Sequence, residues 1–394
     1  MNILYLGQFG VKSILDKYPT FGLDNYKMSD FLVKGFQLNK EVKLDVITAP
    51  DVASYPDFPK ARFKRFVEND IVSVGFLNLP FIKQFSMVNS LYDDAKRVIE
   101  SNEGKTYVIV PYMVYHSVRT ARKIKSKFGD KVIICLIVQD IFFPKKNTLN
   151  YWVNRYTEHE AVKSDCFILF TKAMADYLHI DERKFIVMES VIDGTTYKTL
   201  GQEQSANKKK LSVVYTGALG VPNGVAKLIE MMRHIQRNDF NLIVTGRGSL
   251  TEKIKEAAKE DDRICFMGTV PKDDVFKYQS QADVLINPRS DSDDPIVTKY
   301  MFPSKLMEYM LTGNAVLTYK MSGIPEEYYN YVFVAEDDTP AGLANALNSV
   351  LDLSEEERKK RGMAARHFIL ENKILEVQSK RIVGFLNKYE LYNN

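Results

Sequence analysis

Short apolar runs alternate with longer helical patterns along almost the whole chain, and this alternation limits the fold more than any other feature. In the first half, the runs with strand character are Ile3–Leu6, Lys43–Ile47, Tyr107–Val110, Val132–Val138, Cys166–Phe170 and Phe185–Met188. The helical stretches between them include Asn25–Phe36, Leu91–Ser101, His116–Phe128 and Tyr151–Lys163. Strands that alternate with helices form parallel sheets covered by helices, so the sequence predicts an α/β fold.

A polar segment interrupts this pattern at residues 196–210, which contain few apolar side chains and end in three lysines. Such composition is typical of a linker. The alternation then restarts, with strands predicted at Ser212–Thr216, Phe240–Thr245, Ile264–Phe266, Val284–Asn287, Ala315–Thr318 and Tyr331–Val334. We therefore predict two tandem doubly wound, Rossmann-like domains at 1–195 and 211–372, followed by a C-terminal helix at 373–394.

The charge balance gives little evidence of a polyanionic partner, because the formal net charge is only +4. The excess is local: residues 101–150 hold nine basic and three acidic side chains. These residues, among them Arg119, Arg122 and Lys123, form either a solvated helix face or a patch for anionic lipid headgroups or an anionic substrate. We expect no nucleic-acid partner.

The cysteines and the apolar stretches indicate a reducing compartment and no membrane span. Cys135, Cys166 and Cys265 lie in strand-like runs and lack the spacing of a metal or redox motif. The longest apolar stretches, Ile71–Ile82 and Val132–Val138, are well short of the roughly 20 residues that cross a bilayer. The expected location is the cytoplasm, with peripheral contact at the inner face of the cell membrane as an option.

Three loops that follow predicted strands are rich in glycine. Gly7–Gly10 and Gly217–Gly220 follow the first strand of each half, and Thr245–Ser249 contains Arg247 between two glycines. Glycine permits a tight turn or a close approach to a ligand, and a following helix N-terminus attracts anions. Each loop is therefore either a simple turn or part of an anion site, and Arg247 is either a surface residue or a phosphate ligand.

Residues 283–308 carry the densest set of candidate binding groups. A buried strand leads into a polar loop with Arg289, Lys299 and Tyr300, and Pro303 and Ser304 then open a helix that carries Lys305 and Glu308. Proline suits the first turn of a helix, whose free N–H groups favour an anion. The cations would neutralise a diphosphate and Glu308 would accept hydrogen bonds from sugar hydroxyls; a well-capped helix with ordinary surface charges is the competing interpretation.

Two acidic features admit both functional and structural interpretations. Asp291, Asp293 and Asp294 resemble a metal site of the Asp-x-Asp type, but a solvated acidic turn is simpler, so we expect no metal. Asp140 follows the apolar strand Val132–Val138, where its carboxylate would either act on a hydroxyl or cap a turn.

The motifs VVYTGALG, LIVTGRGS and INPR, followed by TKYMFPSKLMEYMLTGNAVLTYKMSGIPEEY, resemble GT-B glycosyltransferases of the retaining family 4 type. With ILFTKAMADYL and VMESVID, they resemble the bacterial branch of capsule and exopolysaccharide synthesis. The resemblance implies a C-terminal domain that binds a nucleotide sugar and an N-terminal domain that binds the acceptor. It also implies retention of anomeric configuration without a metal or other cofactor, and a last helix that returns to the first domain.

Two departures from the family pattern stand out. The family's pair of glutamates eight residues apart is reduced to Glu308, because Tyr300 occupies the first position. The usual Arg and Lys after the YTG strand are replaced by Ala218 and Asn223. We hypothesise that Arg289, with Lys299 and Arg247, offsets the charge of the leaving diphosphate, and that Arg289→Ala lowers turnover about 100-fold or more.

The function expected from this resemblance is transfer of a sugar from a nucleoside diphosphate sugar to a hydroxyl of a glycan, carried for example on a polyprenyl diphosphate. Gly10, Gly217, Arg247, Arg289, Lys299, Ser304, Lys305 and Glu308 would bind the donor. Asp140, Arg289 and Tyr300 would take part in the chemistry. The alternatives are an epimerase or phosphorylase of the same fold, and an inactive subunit that regulates a partner transferase. The sugar, the base and the linkage stay open.

Overall fold

The computed structural model describes residues 1–7, 9–11, 13, 23–196 and 210–393 of the chain. It divides into two compact units: unit 1 is Met1–Val191 with Leu375–Asn394, and unit 2 is Ile192–Ile374. These junctions fall within four residues of the domain boundaries that the sequence suggests. Most of the expected linker, residues 197–209, lies outside the described residues.

Unit 1 is built on one large sheet and a separate strand pair. Its strands are β1 (Asn2–Gly7), β2 (Lys43–Thr48), β3 (Arg62–Phe63), β4 (Phe66–Glu68), β5 (Ile71–Ser73), β6 (Phe76–Leu77), β7 (Thr106–Val110), β8 (Val132–Val138), β9 (Cys166–Leu169) and β10 (Phe185–Val187). The large sheet has the order β10-β9-β8-β7-β1-β2-β5-β4, and β3 pairs with β6. Only β4–β5 and β3–β6 are antiparallel. The sequence did not predict β3 to β6, because strands of two or three residues leave no periodicity.

The helices of the first 191 residues are α1 (Leu23–Gln37), α2 (Lys83–Ser101), α3 (Tyr115–Phe128), α4 (Leu149–Ala161) and α5 (Lys172–Leu178). The predicted start of α2 at Leu91 is wrong by two turns, since Lys83 already opens the helix. The side chains of Lys83 and Met87 are buried there. The apolar stretch Ile71–Ile82 is accordingly two short strands and a turn, not one element.

Unit 2 is a six-stranded parallel sheet covered by helices. Its strands are β11 (Leu211–Thr216), β12 (Phe240–Thr245), β13 (Ile264–Gly268), β14 (Val284–Asn287), β15 (Ala315–Thr318) and β16 (Phe333–Val334). Its helices are α6 (Val225–Arg233), α7 (Thr251–Glu260), α8 (Lys272–Ser280), α9 (Pro295–Lys299), α10 (Ser304–Thr312), α11 (Pro340–Asp352) and α12 (Glu355–Asn372). The strand order β13-β12-β11-β14-β15-β16 is that of a doubly wound fold. The α/β prediction with two Rossmann-like sheets is confirmed.

The last helix, α13 (Leu375–Asn393), belongs to unit 1 although it follows unit 2 in sequence. It packs on α1, and its apolar side chains Leu375, Ile382, Val383 and Leu386 are buried in the core of unit 1. No helix among the described residues is both long and apolar enough to cross a membrane.

Each sheet contains one strand at which the winding direction reverses. In unit 1 this strand is β1, which lies between β2 and β7; in unit 2 it is β11, which lies between β12 and β14. The connections leave such a strand in opposite directions, so a crevice opens at its carboxyl end, where ligands bind in this class of fold. The crevice of unit 1 begins at Gly7, and that of unit 2 begins at Gly217.

Candidate functional site

The turn after β11 is the centre of the candidate site in unit 2. Gly217 has a φ of +142°, a backbone conformation that other residues rarely adopt. A Cβ at this position would lie 2.1 Å from both Cε and Nζ of Lys305. The Lys305 amine therefore lies directly against the Gly217 backbone, and a side chain at this position would displace it.

The predicted third loop lies beside this turn. The Leu219 N–H donates to the Arg247 carbonyl at 2.9 Å, and the Leu250 N–H donates to the Leu219 carbonyl at 2.8 Å. These bonds hold the loops after β11 and β12 side by side. The Arg247 side chain is exposed and has no partner among the described residues, so its guanidinium is available to an anion at the same edge of the sheet.

A buried hydrogen-bond network fixes α10 against β11. The Thr216 N–H donates to the Tyr309 hydroxyl at 3.0 Å, and that hydroxyl donates to the Thr216 carbonyl at 3.2 Å. Gln279 donates to the Thr216 hydroxyl at 2.8 Å. Burial raises the pKa of Tyr309 to about 12, so it remains a neutral donor at physiological pH. Lys305, one turn before Tyr309, is thereby held at the carboxyl end of β11.

The first turn of α10 has no side-chain cap. Pro303 is the N-cap residue and makes no side-chain capping bond. The sequence had placed it one position later, inside the first turn. Ser304 is exposed, and Glu308 is half-buried three residues after Lys305, on the same helix face. Uncapped N–H groups, a lysine and a carboxylate suit a ligand that has a phosphate and neighbouring hydroxyls.

Arg289 has a structural role that the sequence did not predict. Its Nε donates to the Pro222 carbonyl at 2.6 Å, and its Nη1 lies 2.6 Å from Met301 Sδ. Burial lowers the pKa of this arginine from its ordinary value, with Tyr215 and Asp293 acting in the opposite direction. The guanidinium thus ties the end of β14 to the turn that precedes α6. Its catalytic role stays a prediction.

Lys299 and Tyr300 lie at the end of α9, close to each other. Lys299 is exposed, with its Nζ 5.7 Å from the centre of the Tyr300 ring. Tyr300 is half-buried and forms the C-cap of the helix. Their proposed contacts with the donor also stay predictions.

The three carboxylates of the acidic loop before α9 accept hydrogen bonds from groups of unit 2. Asp291 accepts from the Ser322 N–H and hydroxyl, Asp293 from the Ser290 N–H, and Asp294 caps α9 through the Val297 N–H. No group of three or more potential metal ligands occurs among the described residues. The carboxylates therefore shape the loop.

Lys227 in α6 is a further cation of the candidate site, and sequence reasoning missed it because its only signal is its place in the helix after Gly217–Gly220. Its amine contacts the Ser290 hydroxyl and lies 3.4 Å from carboxylate oxygens of both Asp293 and Asp338. Because two carboxylates surround it, its charge is already offset. It fixes the loop rather than supplying a free cation.

Asp140 and Gly10 lie in unit 1, apart from the other predicted residues, which lie in unit 2. Asp140 is exposed directly after β8, and partial desolvation raises its pKa. The backbone beside Gly10 is held by Thr48, whose hydroxyl accepts from the Phe9 N–H at 2.9 Å. The same edge also carries buried Lys83 and His116, which the sequence did not single out as functional.

Residues 210–352 match the family model described as Glycosyl transferases group 1. No curated protein matches the chain in sequence. The match covers most of unit 2, which is therefore similar to the glycosyltransferases of this family.

Several solved structures have the same fold over nearly the whole chain. The N-terminal domain of a trehalose-6-phosphate phosphatase from Candida albicans is 11% identical, with a TM-score of 0.71 over 98% of this chain and 96% of that one. HepE from Anabaena, in complex with UDP, is 14% identical, with a TM-score of 0.64 over 98% and 100%. An E. coli structure described as trehalose-6-phosphate bound with UDP-2-fluoro glucose is 10% identical, with a TM-score of 0.67 over 98% and 98%. At these identities the likeness establishes the fold.

Proposed function

We propose that this chain, a glycosyltransferase with the GT-B fold, moves a sugar from a nucleoside diphosphate sugar to a hydroxyl of a glycan. The observation that carries the proposal is the Lys305 amine, which lies against the Gly217 backbone at the switch point of unit 2. The α10 amides and the unpartnered Arg247 lie at the same edge of the sheet. Together they form a cationic cradle for a diphosphate.

The chemistry follows from the charge that develops as the sugar leaves. The bond between the anomeric carbon and the diphosphate oxygen breaks, and that phosphate oxygen gains negative charge. The acceptor oxygen bonds to the anomeric carbon, and the proton of the acceptor hydroxyl passes to a base or to the leaving diphosphate. Lys305 and Arg247 stabilise that charge, while Glu308 accepts hydrogen bonds from ribose hydroxyls. We further propose that the reaction retains anomeric configuration and needs no metal, since the cations already oppose the diphosphate and the acidic loop is internally bonded.

UDP is the nucleotide we propose first, because two of the solved structures of this fold contain UDP or a UDP-sugar analogue. For the acceptor we propose a glycan of a cell-surface polysaccharide, such as a capsule or exopolysaccharide, carried on a polyprenyl diphosphate. Asp140 of unit 1 would act as a general base toward the acceptor hydroxyl, because desolvation raises its pKa and so makes it a stronger base. An acceptor of this kind would bring the protein to the inner face of the membrane.

A thermal-shift panel of UDP, GDP and UMP tests the donor site. A ligand at 100 times its dissociation constant stabilises the native state by about 2.7 kcal/mol, so UDP should raise the melting temperature more than UMP if the diphosphate cradle is real. Glu308→Gln should weaken UDP binding, with Glu260→Gln, in α7, as the matched control. No shift with any nucleotide would refute the proposal.

Release of UDP from UDP-sugars separates a transferase from the regulatory alternative. A transferase in this fold slowly hydrolyses its donor when water replaces the acceptor. An inactive regulatory subunit would bind UDP yet release none from any sugar donor.

A further inference from the structure

An exposed apolar patch follows Asp140 in unit 1. We define the aromatic patch as the side chains of Phe142, Phe143, Leu149, Trp152, Val153 and Tyr156. Leu149 is 72% exposed, Trp152 62% and Phe142 52%. Single exposed apolar side chains are common, but Leu149, Trp152, Val153 and Tyr156 are spaced three or four residues apart on α4 and so share one helix face. Asn154 of the same helix donates to the Phe142 carbonyl at 3.2 Å, which holds the preceding loop beside the helix. Exposed apolar residues grouped in this way mark an interaction site.

Helix α4 carries most of the patch. A surface helix usually buries its apolar face and exposes its polar face, but α4 does the reverse. The residues that α4 buries are Thr157, Glu158 and Ala161, which are polar or small. Its large apolar side chains point to solvent. The burial of α4 in unit 1 therefore does not explain its apolar residues, which indicates that a partner covers them.

The charges beside the aromatic patch indicate the chemistry of that partner. The side chains of Lys145 and Lys146 are exposed and have no partner among the described residues, and the same holds for Arg119 in the neighbouring helix α3. The carboxylates of α4 are already paired: Glu158 with Arg155 at 2.8 Å, and Glu160 with Lys163. The free charges at the patch are thus mostly positive, so they complement an anionic surface.

We propose that the aromatic patch docks on an anionic lipid bilayer, with Trp152 and Tyr156 at the level of the headgroups and Lys145 and Lys146 against lipid phosphates. Trp and Tyr favour this interfacial region, and basic side chains next to an anionic leaflet strengthen binding. The inference rests on the proposed lipid-linked acceptor and names the surface that meets its membrane. Phe142 lies two residues after Asp140, so docking would bring Asp140 close to an acceptor that is anchored in the bilayer.

Trp152 is the only tryptophan of the chain, which makes its fluorescence a direct probe. Vesicles of phosphatidylglycerol and phosphatidylcholine in equal parts should shift its emission to the blue, and brominated lipid should quench it. Lys145→Gln with Lys146→Gln should lower vesicle affinity about 30-fold, or about 2 kcal/mol at about 1 kcal/mol for each lysine. Lys253→Gln with Lys259→Gln, on exposed positions of α7, is the matched control and should bind as the wild type does.

A second double variant, Phe142→Ser with Leu149→Ser, tests the apolar part and should abolish quenching by brominated lipid. Both double variants should keep the thermal shift with UDP, so loss of lipid binding and failure of the proposed donor site are separate results. An unchanged emission spectrum in vesicles would overturn the proposal, as would equal affinity for pure phosphatidylcholine vesicles. A lipid-free dimer that Phe142→Ser with Leu149→Ser dissociates would overturn it in favour of a second copy of the chain.

Discussion

The turns after β1 and β11, the strands at which the winding direction reverses, both contain a glycine with a positive φ but place different side chains against it. Gly7 in unit 1 has a φ of +147°, and Gly217 in unit 2 has a φ of +142°. In unit 1, α3 follows β7, the strand beside β1; in unit 2, α10 follows β14, the strand beside β11. Each of these helices places a side chain against the glycine of its unit. In unit 2 the side chain is Lys305, whereas in unit 1 it is Ser117, whose Oγ would lie 3.1 Å from a Cβ on Gly7.

The surroundings of the two turns extend this difference. The Ser117 hydroxyl and Nε2 of the neighbouring His116 are buried and have no hydrogen-bond partner within the described part of the chain. Burial, assisted by the charge of Lys83, lowers the pKa of His116 to about 4, so the imidazole is neutral at physiological pH. The turn of unit 2 thus has a cation against its glycine, whereas the turn of unit 1 has a hydroxyl in that place, with the neutral imidazole of His116 and the buried amine of Lys83 nearby. The difference depends on single side chains in the facing helices.

The largest expected effect is that of Lys305→Met, which keeps the length of the side chain and removes the charge. Loss of one well-placed donor to a developing oxyanion costs about 3 kcal/mol, so turnover should fall about 100-fold. UDP affinity should fall as well. Lys259→Met in α7 is the control. Steady-state UDP release measures the effect.

If Arg289 offsets the charge of the leaving diphosphate, Arg289→Ala should lower turnover by about 100-fold or more. The contacts of Arg289 with Pro222 and Met301 predict, in addition, a loss of thermal stability that Lys305→Met should not share. If Arg289→Ala lowered turnover and Lys305→Met did not, the assignment of Lys305 as the main diphosphate cation would be wrong.

The buried, neutral imidazole of His116 in unit 1 predicts that the stability of the protein depends on pH. His116 has a folded pKa of about 4 and an unfolded value near 6.5, so the unfolded chain takes up the proton first as the pH falls. The free energy of unfolding should therefore be unaffected above pH 6.5 and fall by about 3 kcal/mol between pH 6.5 and pH 4. His116→Gln should remove this part of the decline. Urea denaturation of both proteins across this range, followed by circular dichroism, measures it; parallel curves would contradict the assignment.

The smallest expected effects on stability and UDP affinity are those of alanine at Gly7 or Gly217. These two variants compare the turns directly. Both Gly217→Ala and Gly7→Ala force a side chain into a positive φ, which should destabilise the protein by about 1–3 kcal/mol. Only the Gly217 variant displaces Lys305, so it alone should lose UDP affinity, by about tenfold or more. Calorimetric titration with UDP measures the difference. An equal loss in both variants would show that the effect comes from the fold and not from the cation.

Periodicity in the sequence was sufficient for the long elements. All twelve predicted strands occur, and β8, β12, β14 and β15 have the predicted bounds, because a buried parallel strand is a continuous apolar run between turns. The short strands β3 to β6 and the helices α5, α9 and α11 were not predicted, since their position depends on the neighbours that pack against them. The C-terminal helix predicted at 373–394 occurs as α13, which begins two residues later, at Leu375.

The sequence by itself determined the α/β class, the two Rossmann-like sheets and the residues that could bind a diphosphate, because local periodicity and loop composition carry that information. Only the tertiary structure decided which groups surround each cation of unit 2. Lys305, Arg289 and Lys227 are equally basic in sequence, yet one lies on Gly217, one binds the Pro222 carbonyl and one is surrounded by Asp293 and Asp338. A charge acts through its partners, and those partners come from strands and loops far apart in the chain.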